Sequence, residues 1–564
     1  MEKRAALAFG LSIALLVAYL WVMQTYFEPP ARPTPAPPAD APKPTIPPAP
    51  APARPQPAES PARLAPARAP EGPRPPQRTA VVEAPLYRGV VSSEGGKLQE
   101  WTLRYRGEKP MVVVGEQGPL GLLVGPDAAS VQVLPMTLSP DSLALGAARR
   151  TDDLALAGEA AGLRIRQTLR FHGDQYFVDV QLRVENPSNA SRTITLILPW
   201  LYRHAEKAPL EKFPGQRPHE VVWLTKNGVQ RIEDLTAVAP KEVEGAWIAM
   251  GSISYLAALV PGTSGFTLTM ASDPPKDGAK NGEYRVTMGA RAAPTIGPGQ
   301  AWEGRVVLYI GPKEYDRLEA LGLEGTVNFG GFPIPRQYGG LPMEWIGVPI
   351  LKLMNWLHRY IPNYGIVIIL ITLVSKVLFY PLTVKSVRSM KAMQSLQPQV
   401  NSLRAKYKND PRKLQEETLA LYRRQGVNPM GGCLPMVAQV PIFYALYLAL
   451  SVAVELQNAP FLCFGRLFGV DLWVCDLASH DPTYILPVLM GISMFVQQKM
   501  TPTMGDPRQA RMMLFLPFVF TFMFLNLPSG LVLYWFVSNV LQILQQWWMD
   551  RSRGQRTVKE TARG

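Results

Sequence analysis

Six long, nearly uncharged apolar segments constrain this chain more than any other feature: one at 5–27, and five crowded into the C-terminal third at about 365–380, 431–454, 484–496, 512–527 and 531–548. A backbone amide left unpaired in hydrocarbon costs several kcal/mol, so runs of this kind cross a bilayer as helices that satisfy their own hydrogen bonds. Crossing a core of roughly 30 Å takes about 20 residues. Several of these runs are shorter, which implies local thinning or polar flanks that continue the helix. With 47% hydrophobic residues and a mean hydropathy of +0.01, the 564-residue chain is too apolar for one soluble globule.

Basic residues then set the orientation. The loop 385–424 holds ten Lys and Arg against Asp410, Glu416 and Glu417, and the tail 550–564 holds Arg551, Arg553, Arg556, Lys559 and Arg563. Both belong on the cytoplasmic side. The loop 457–482 has Arg466 against Asp471, Asp476 and Asp481, and the turn 526–530 has no charge; both belong outside. Six spans with both termini inside satisfy every loop. The net charge of +14 therefore lies in short runs beside apolar segments, which argues against DNA as a partner.

Residues 1–28 read as an uncleaved anchor rather than a signal peptide, because Tyr26-Phe27-Glu28-Pro29 replaces the small-residue cleavage site. Residues 29–79 are dominated by Pro and Ala and form a stiff linker, reaching roughly 150 Å if fully extended. From about 80 to 320, period-two patterns recur: Leu163, Ile165, Leu169 and Phe171; then Val178, Val180, Leu182 and Val184; then Ile194, Leu196 and Leu198. Trp247–Met250 and Val306–Ile310 look like further core strands, and the whole reads as a large all-β sandwich.

Residues 342–362 place Trp345, Ile346, Ile350, Leu353, Met354 and Leu357 near helical spacing, as suits an amphipathic helix at the interface or, alternatively, one packed in a core. The basic loop is itself periodic. Val384, Val387, Met390, Met393, Leu396, Val400, Leu403 and Tyr407 recur every three or four residues, and Asp410-Pro411 caps a second helix. This predicts a helical hairpin over 384–426, either a docking surface or simply a basic face attracting anionic lipid.

No phosphate loop, zinc motif or nucleophile elbow occurs. No cofactor or metal is called for, and Cys433 starts an apolar segment. Cys463 and Cys475 share the outward loop 457–482 and can either close a ring of about 13 residues as a disulfide or remain two buried thiols.

Tyr380-Pro381-Leu382-Thr383, the run 427–435 (VNPMGGCLP), Gln439-Val440-Pro441, Tyr484-Ile485-Leu486-Pro487 and the run 527–534 (LPSGLVLY) are, in this order, very similar to the YidC-type membrane insertase family. The anchor and β domain match the form found in bacteria with an outer membrane. The resemblance implies an inner-membrane protein with a periplasmic β-supersandwich (80–320) and a five-helix core over 363–549. That core encloses a hydrophilic groove open to the cytoplasm and to lipid. It also implies that nascent membrane proteins are the clients, with the Sec translocon and the ribosome as partners. Lys376 stands where the family has a groove arginine; Thr372 shares its helical face, and Gln439 is the matching amide. The family's paired tyrosines on the last span are Tyr534 and Trp535, so the second lacks a hydroxyl. The third and fifth spans would offer an apolar slide.

Two other readings compete. Lys376, Gln439, Asn526, Asn539 and Gln542 could line a channel or transporter path, although no second half repeats the first. Sugar mutarotases also resemble the β domain's fold, and His204, Glu206, His219 and Glu220 are the acid–base group such chemistry would need.

Overall fold

The computed structural model describes residues 77–561 apart from 113–117, 120, 206–219, 233–234, 236–237, 274–282, 329–343, 409, 428–445, 451, 468–469 and 501–506. The expected anchor, the linker up to residue 76, Gln439 and most of the 431–454 segment lie outside these residues.

Alternating burial organises the N-terminal region. In the strand Leu163–His172, Leu163, Ile165, Gln167, Leu169 and Phe171 point inward, while the arginines between them reach solvent. This strand is near one end of a nine-stranded antiparallel sheet. Its order runs Gly228–Ile232, Glu220–Thr225, Trp247–Gly251, Tyr255–Pro261, Ala301–Pro312, Phe177–Glu185, Leu163–His172, Thr151–Ala160 and Thr137–Ser139. A seven-stranded sheet built on Thr195–Ala205 and Glu283–Ala292, a five-stranded one containing Leu98–Arg104, and the short pair Arg192–Thr193 with Thr295–Ile296 make up the rest of the described β region. Their inner faces share one buried cluster in which Tyr87 stacks on Trp101 at 4.1 Å between ring centroids.

Behind the last long strand come helix α1 (Tyr315–Glu319) and helix α2 (Glu344–His358). Helix α2 buries Leu351 and Met354 and exposes Leu353 and Trp356. Next comes α3 (Tyr364–Ser395), whose N-cap Asn363 accepts a bond from the Ile366 amide. The sequence predicted a span ending near 380 and a separate hairpin from 384. Instead one 32-residue helix runs through both. Pro381 removes one backbone donor, and the following Thr383, Val384, Ser386 and Val387 are weak helix formers, so packing against neighbouring elements rather than local propensity carries the helix through. The turn comes at Leu396, followed by α4 (Gln397–Lys406) and α5 (Pro411–Arg424). The predicted cap is present: Asp410 accepts from the Lys413 amide at 3.1 Å, with Pro411 in the first turn.

Helical residues 446–450 are followed by α6 (Ile485–Met500), α7 (Pro507–Phe524) and α8 (Ser529–Thr561). Among the described residues one stretch, Tyr364–Pro381, is long and apolar enough to cross a membrane by itself, with shorter apolar helices at Ile485–Met500 and Leu514–Phe524. Helices α6 and α7 approach closely at Gly491, where a Cβ would collide with the Thr521 hydroxyl. Large apolar side chains face outward on α3 (Val374, Val377, Leu378) and on α7 (Phe515, Phe518, Phe522).

The loop that precedes α6 holds α6 and α8 together. Asp481 is buried and receives the amides of Thr483 and Leu486, which caps α6. Ser529 and Gly530 donate their amides to the carbonyls of Ser479 and Leu477, which seats the start of α8. In the same loop the strands Leu462–Leu467 and Val470–Val474 pair, and Cys463 and Cys475 are joined by a disulfide, their Cα atoms 4.6 Å apart.

Candidate functional site

Helix α8 packs against both α3 and α6, and its polar residues face them. Lys376 lies on α3 one turn beyond Thr372, and its ammonium donates to Gln542 Oε1 of α8 at 3.2 Å. Toward α6, Asn539 Nδ2 donates to Ser493 Oγ at 3.2 Å and Gln546 Nε2 to the Met500 carbonyl at 2.6 Å. The spacing 539, 542, 546 puts all three on one face of α8. Separate polar contacts therefore tie α8 to α3 at Lys376 and to α6 at Ser493 and Met500.

Of the other groove residues expected from the family resemblance, Thr372, Tyr534 and Trp535 are among the described residues and lie beside these contacts rather than in them. Thr372 is fully buried and its hydroxyl bonds back to the Ile368 carbonyl at 2.6 Å, so it lies on the Lys376 face with its own donor occupied. Tyr534 is 3% exposed and packed in the core. Trp535 is half-buried against Phe524 and Phe520, with centroid distances of 4.7 and 6.0 Å. Eight residues separate Tyr534 from Gln542, about 12 Å along the axis. Gln542, which the sequence suggests only as lining for a solute path, is the observed partner of Lys376, and Asn539, suggested likewise, bonds Ser493 of α6. The polar periodicity of the last span was the signal that could have found them.

Of the candidate acid–base group, Glu220 alone has described side-chain partners. Glu220 is buried and paired with Arg231 at 2.8 Å and with Lys313 at 3.6 Å, while Lys313 also donates to the Thr326 carbonyl at 2.9 Å. Burial draws the Lys313 ammonium down to about 8, against the opposing pull of Glu220. This is a structural ion cluster at the edge of the nine-stranded sheet. Glu206 and His219 lie outside the described residues.

Residues 356–556 match the family model described as 60Kd inner membrane protein, and residues 79–338 match the one described as YidC periplasmic domain. Curated membrane protein insertases YidC from Syntrophus aciditrophicus and Geobacter metallireducens are 35% and 36% identical to the chain, each over 98% of it and over 100% and 99% of their own lengths. The chain belongs to the YidC membrane protein insertase family. A solved structure described as an active YidC insertase aligns with 83% of this chain and 94% of its own at 17% identity and a TM-score of 0.35, too low to add to that relationship. In YidC terms the strand-rich region corresponds to the periplasmic domain and the helices from α3 onward to the inner-membrane part.

Proposed function

We propose that this chain inserts apolar segments of newly made proteins into the inner membrane, using the space around Lys376 and Gln542 as a hydrophilic groove. The carrying observation is the 3.2 Å contact between a cation and an amide from two different apolar helices. A polar tail crossing an apolar slab loses several kcal/mol per unsatisfied group, and fixed polar side chains part-way across shorten that barrier. Burial of the client's own helix, at roughly 25 cal/mol per Å², drives the step without a nucleotide. Thr372, Gln439, Tyr534 and Trp535 belong to the same proposed groove, and the outward phenylalanines of α7 offer the client an apolar surface.

Six spans with both termini in the cytoplasm, clients delivered by ribosomes and the Sec translocon, and the absence of catalysis are parts of the same reading. The test is reconstitution into liposomes with a small single-span client. Client insertion without solute flux supports the proposal. Solute flux without insertion would favour the channel or transporter.

A further inference from the structure

The 3-10 turn Val454–Leu456 follows the 431–454 segment and carries Glu455 into the packing beside α2. Glu455 is 6% exposed, and no described Lys, Arg or His forms an ion pair with it. Asn355 of α2 donates its Nδ2–H to Glu455 Oε1 at 3.1 Å. The remaining oxygen of each group, Glu455 Oε2 and Asn355 Oδ1, is buried with no hydrogen-bond partner among the described residues. Two orphaned acceptors on one bonded pair of side chains is a costly arrangement for an ionised carboxylate. One proton removes both faults: on Oε2 it can be donated to Oδ1, while Oε1 goes on accepting from Nδ2–H.

We propose that Glu455 is held as the neutral acid in a cyclic carboxyl–carboxamide pair with Asn355, and that loss of this proton releases α2 from the adjoining end of the helical core. The surroundings oppose an anion there. Burial pushes the Glu455 carboxyl up to about 7, and Glu314, just before α1, and Asp316, on it, push the same way, against the hydrogen bonds from its own backbone amide and from Asn355. Helix α2 also carries His358, stacked on Tyr364 at 3.7 Å and held below its usual basicity by burial and by Arg106, and Lys352, which is committed to Glu319. Arg106 lies over the Tyr364 ring at 5.3 Å, Arg359 pairs with Asp316, and Tyr105, Tyr309 and Tyr364 complete the titratable groups around the pair. Because folding raises this carboxyl above its ordinary value near 4.5, its contribution is complete below that value and is lost as pH rises through about 7.

The test uses the full-length protein in lipid nanodiscs, comparing thermal unfolding of the wild type and Glu455→Gln from about pH 5 to about pH 8. A glutamine can make the same two hydrogen bonds without titrating. The wild type should lose midpoint temperature relative to the variant as pH rises, and the gap should close at the acid end; parallel profiles would overturn the latch. Infrared difference spectra give a second reading that does not need Glu455→Gln to fold. The wild type should show a protonated carboxyl band that disappears above about pH 7 and shifts in Asn355→Ala. A spectrum with no such Asn355-sensitive band would overturn the proposal equally.

Discussion

Lysine offers three donors on a flexible stem, where arginine offers a planar fork of five. At position 376 the stem reaches Gln542 on the neighbouring helix, so the charge is steered without being fixed in a rigid geometry. An acidic group in a passing tail about 4 Å away would gain roughly 1–4 kcal/mol, depending on how wet the groove is. Lys376→Arg should therefore keep insertion, Lys376→Ala should impair clients with acidic tails most, and Lys376→Glu should cost them roughly tenfold or more. Equal insertion by all three at equal protein levels would reduce Lys376 to a snorkelling side chain. Glu220 poses the opposite case, since it is shared by the buried Lys313 and the half-buried Arg231. Glu220→Gln leaves Arg231 and Lys313 facing each other, and by analogy with other broken buried pairs it should destabilise the β region by about 3–5 kcal/mol. Circular-dichroism melts read this directly, and an unchanged midpoint would contradict the cluster's structural role.

Among the elements, the strands were the easiest to read in advance, because an outward arginine after each inward aliphatic residue, as in Leu163–His172, leaves one register that buries the right face. The predicted cap of α5 at Asp410 and Pro411 was equally legible, since its chemistry is local. The continuity of α3 was not. Proline is read as a boundary in a soluble helix, whereas a helix leaving a membrane tolerates the one missing bond. Nor was the neighbour of Lys376 visible, because pairing α3 with α8 joins residues 166 apart and only packing decides it. The hairpin formed by the end of α3, α4 and α5 buries Val387, Met393, Leu396 and Val400. These four lie outside the main buried cluster, so deleting the hairpin should leave a folded membrane protein that no longer inserts clients; degradation of the truncated protein would instead make the hairpin structural. The strand pair closed by Cys463–Cys475 is a second local unit. Serine at both cysteines should remove up to about 3 kcal/mol from that loop in the chain-entropy account, visible as faster proteolysis between residues 457 and 482. Cleavage no faster than in the wild type would show that the bond adds nothing there.

At the level of the whole molecule, the β region and the helical core meet through a few polar contacts. Tyr255 donates its hydroxyl to Gln457 Oε1 at 2.8 Å, Gln457 Nε2 donates to Ser254 Oγ at 2.6 Å, and Asn458 Nδ2 donates to the Arg106 carbonyl at 2.8 Å. None of these residues stood out in the sequence, since surface amides in loops are common and only the assembled fold reveals which are paired. Each such bond is worth about 1 kcal/mol net. Replacing both Gln457 and Asn458 by alanine should thus weaken the joint by about 2–3 kcal/mol and leave each half folded. Hydrogen exchange should rise along Tyr255–Pro261 and in the 457–459 turn. Unchanged exchange would mean that the apolar packing alone holds the joint.

The unbroken course of α3 makes its two ends a matter of helical phase. Seventeen residues separate Lys376 from Met393, about 25 Å of one axis, so the azimuth of the hairpin relative to the groove is set by residue count alone. One residue inserted near Ser386 would turn the hairpin by about 100° and advance it by about 1.5 Å, whereas four would return it to within about 40° of its starting direction. If clients pass from hairpin to groove along a fixed line, insertion should fail with one added residue and recover with four, a periodic response that a loosely tethered hairpin would not give.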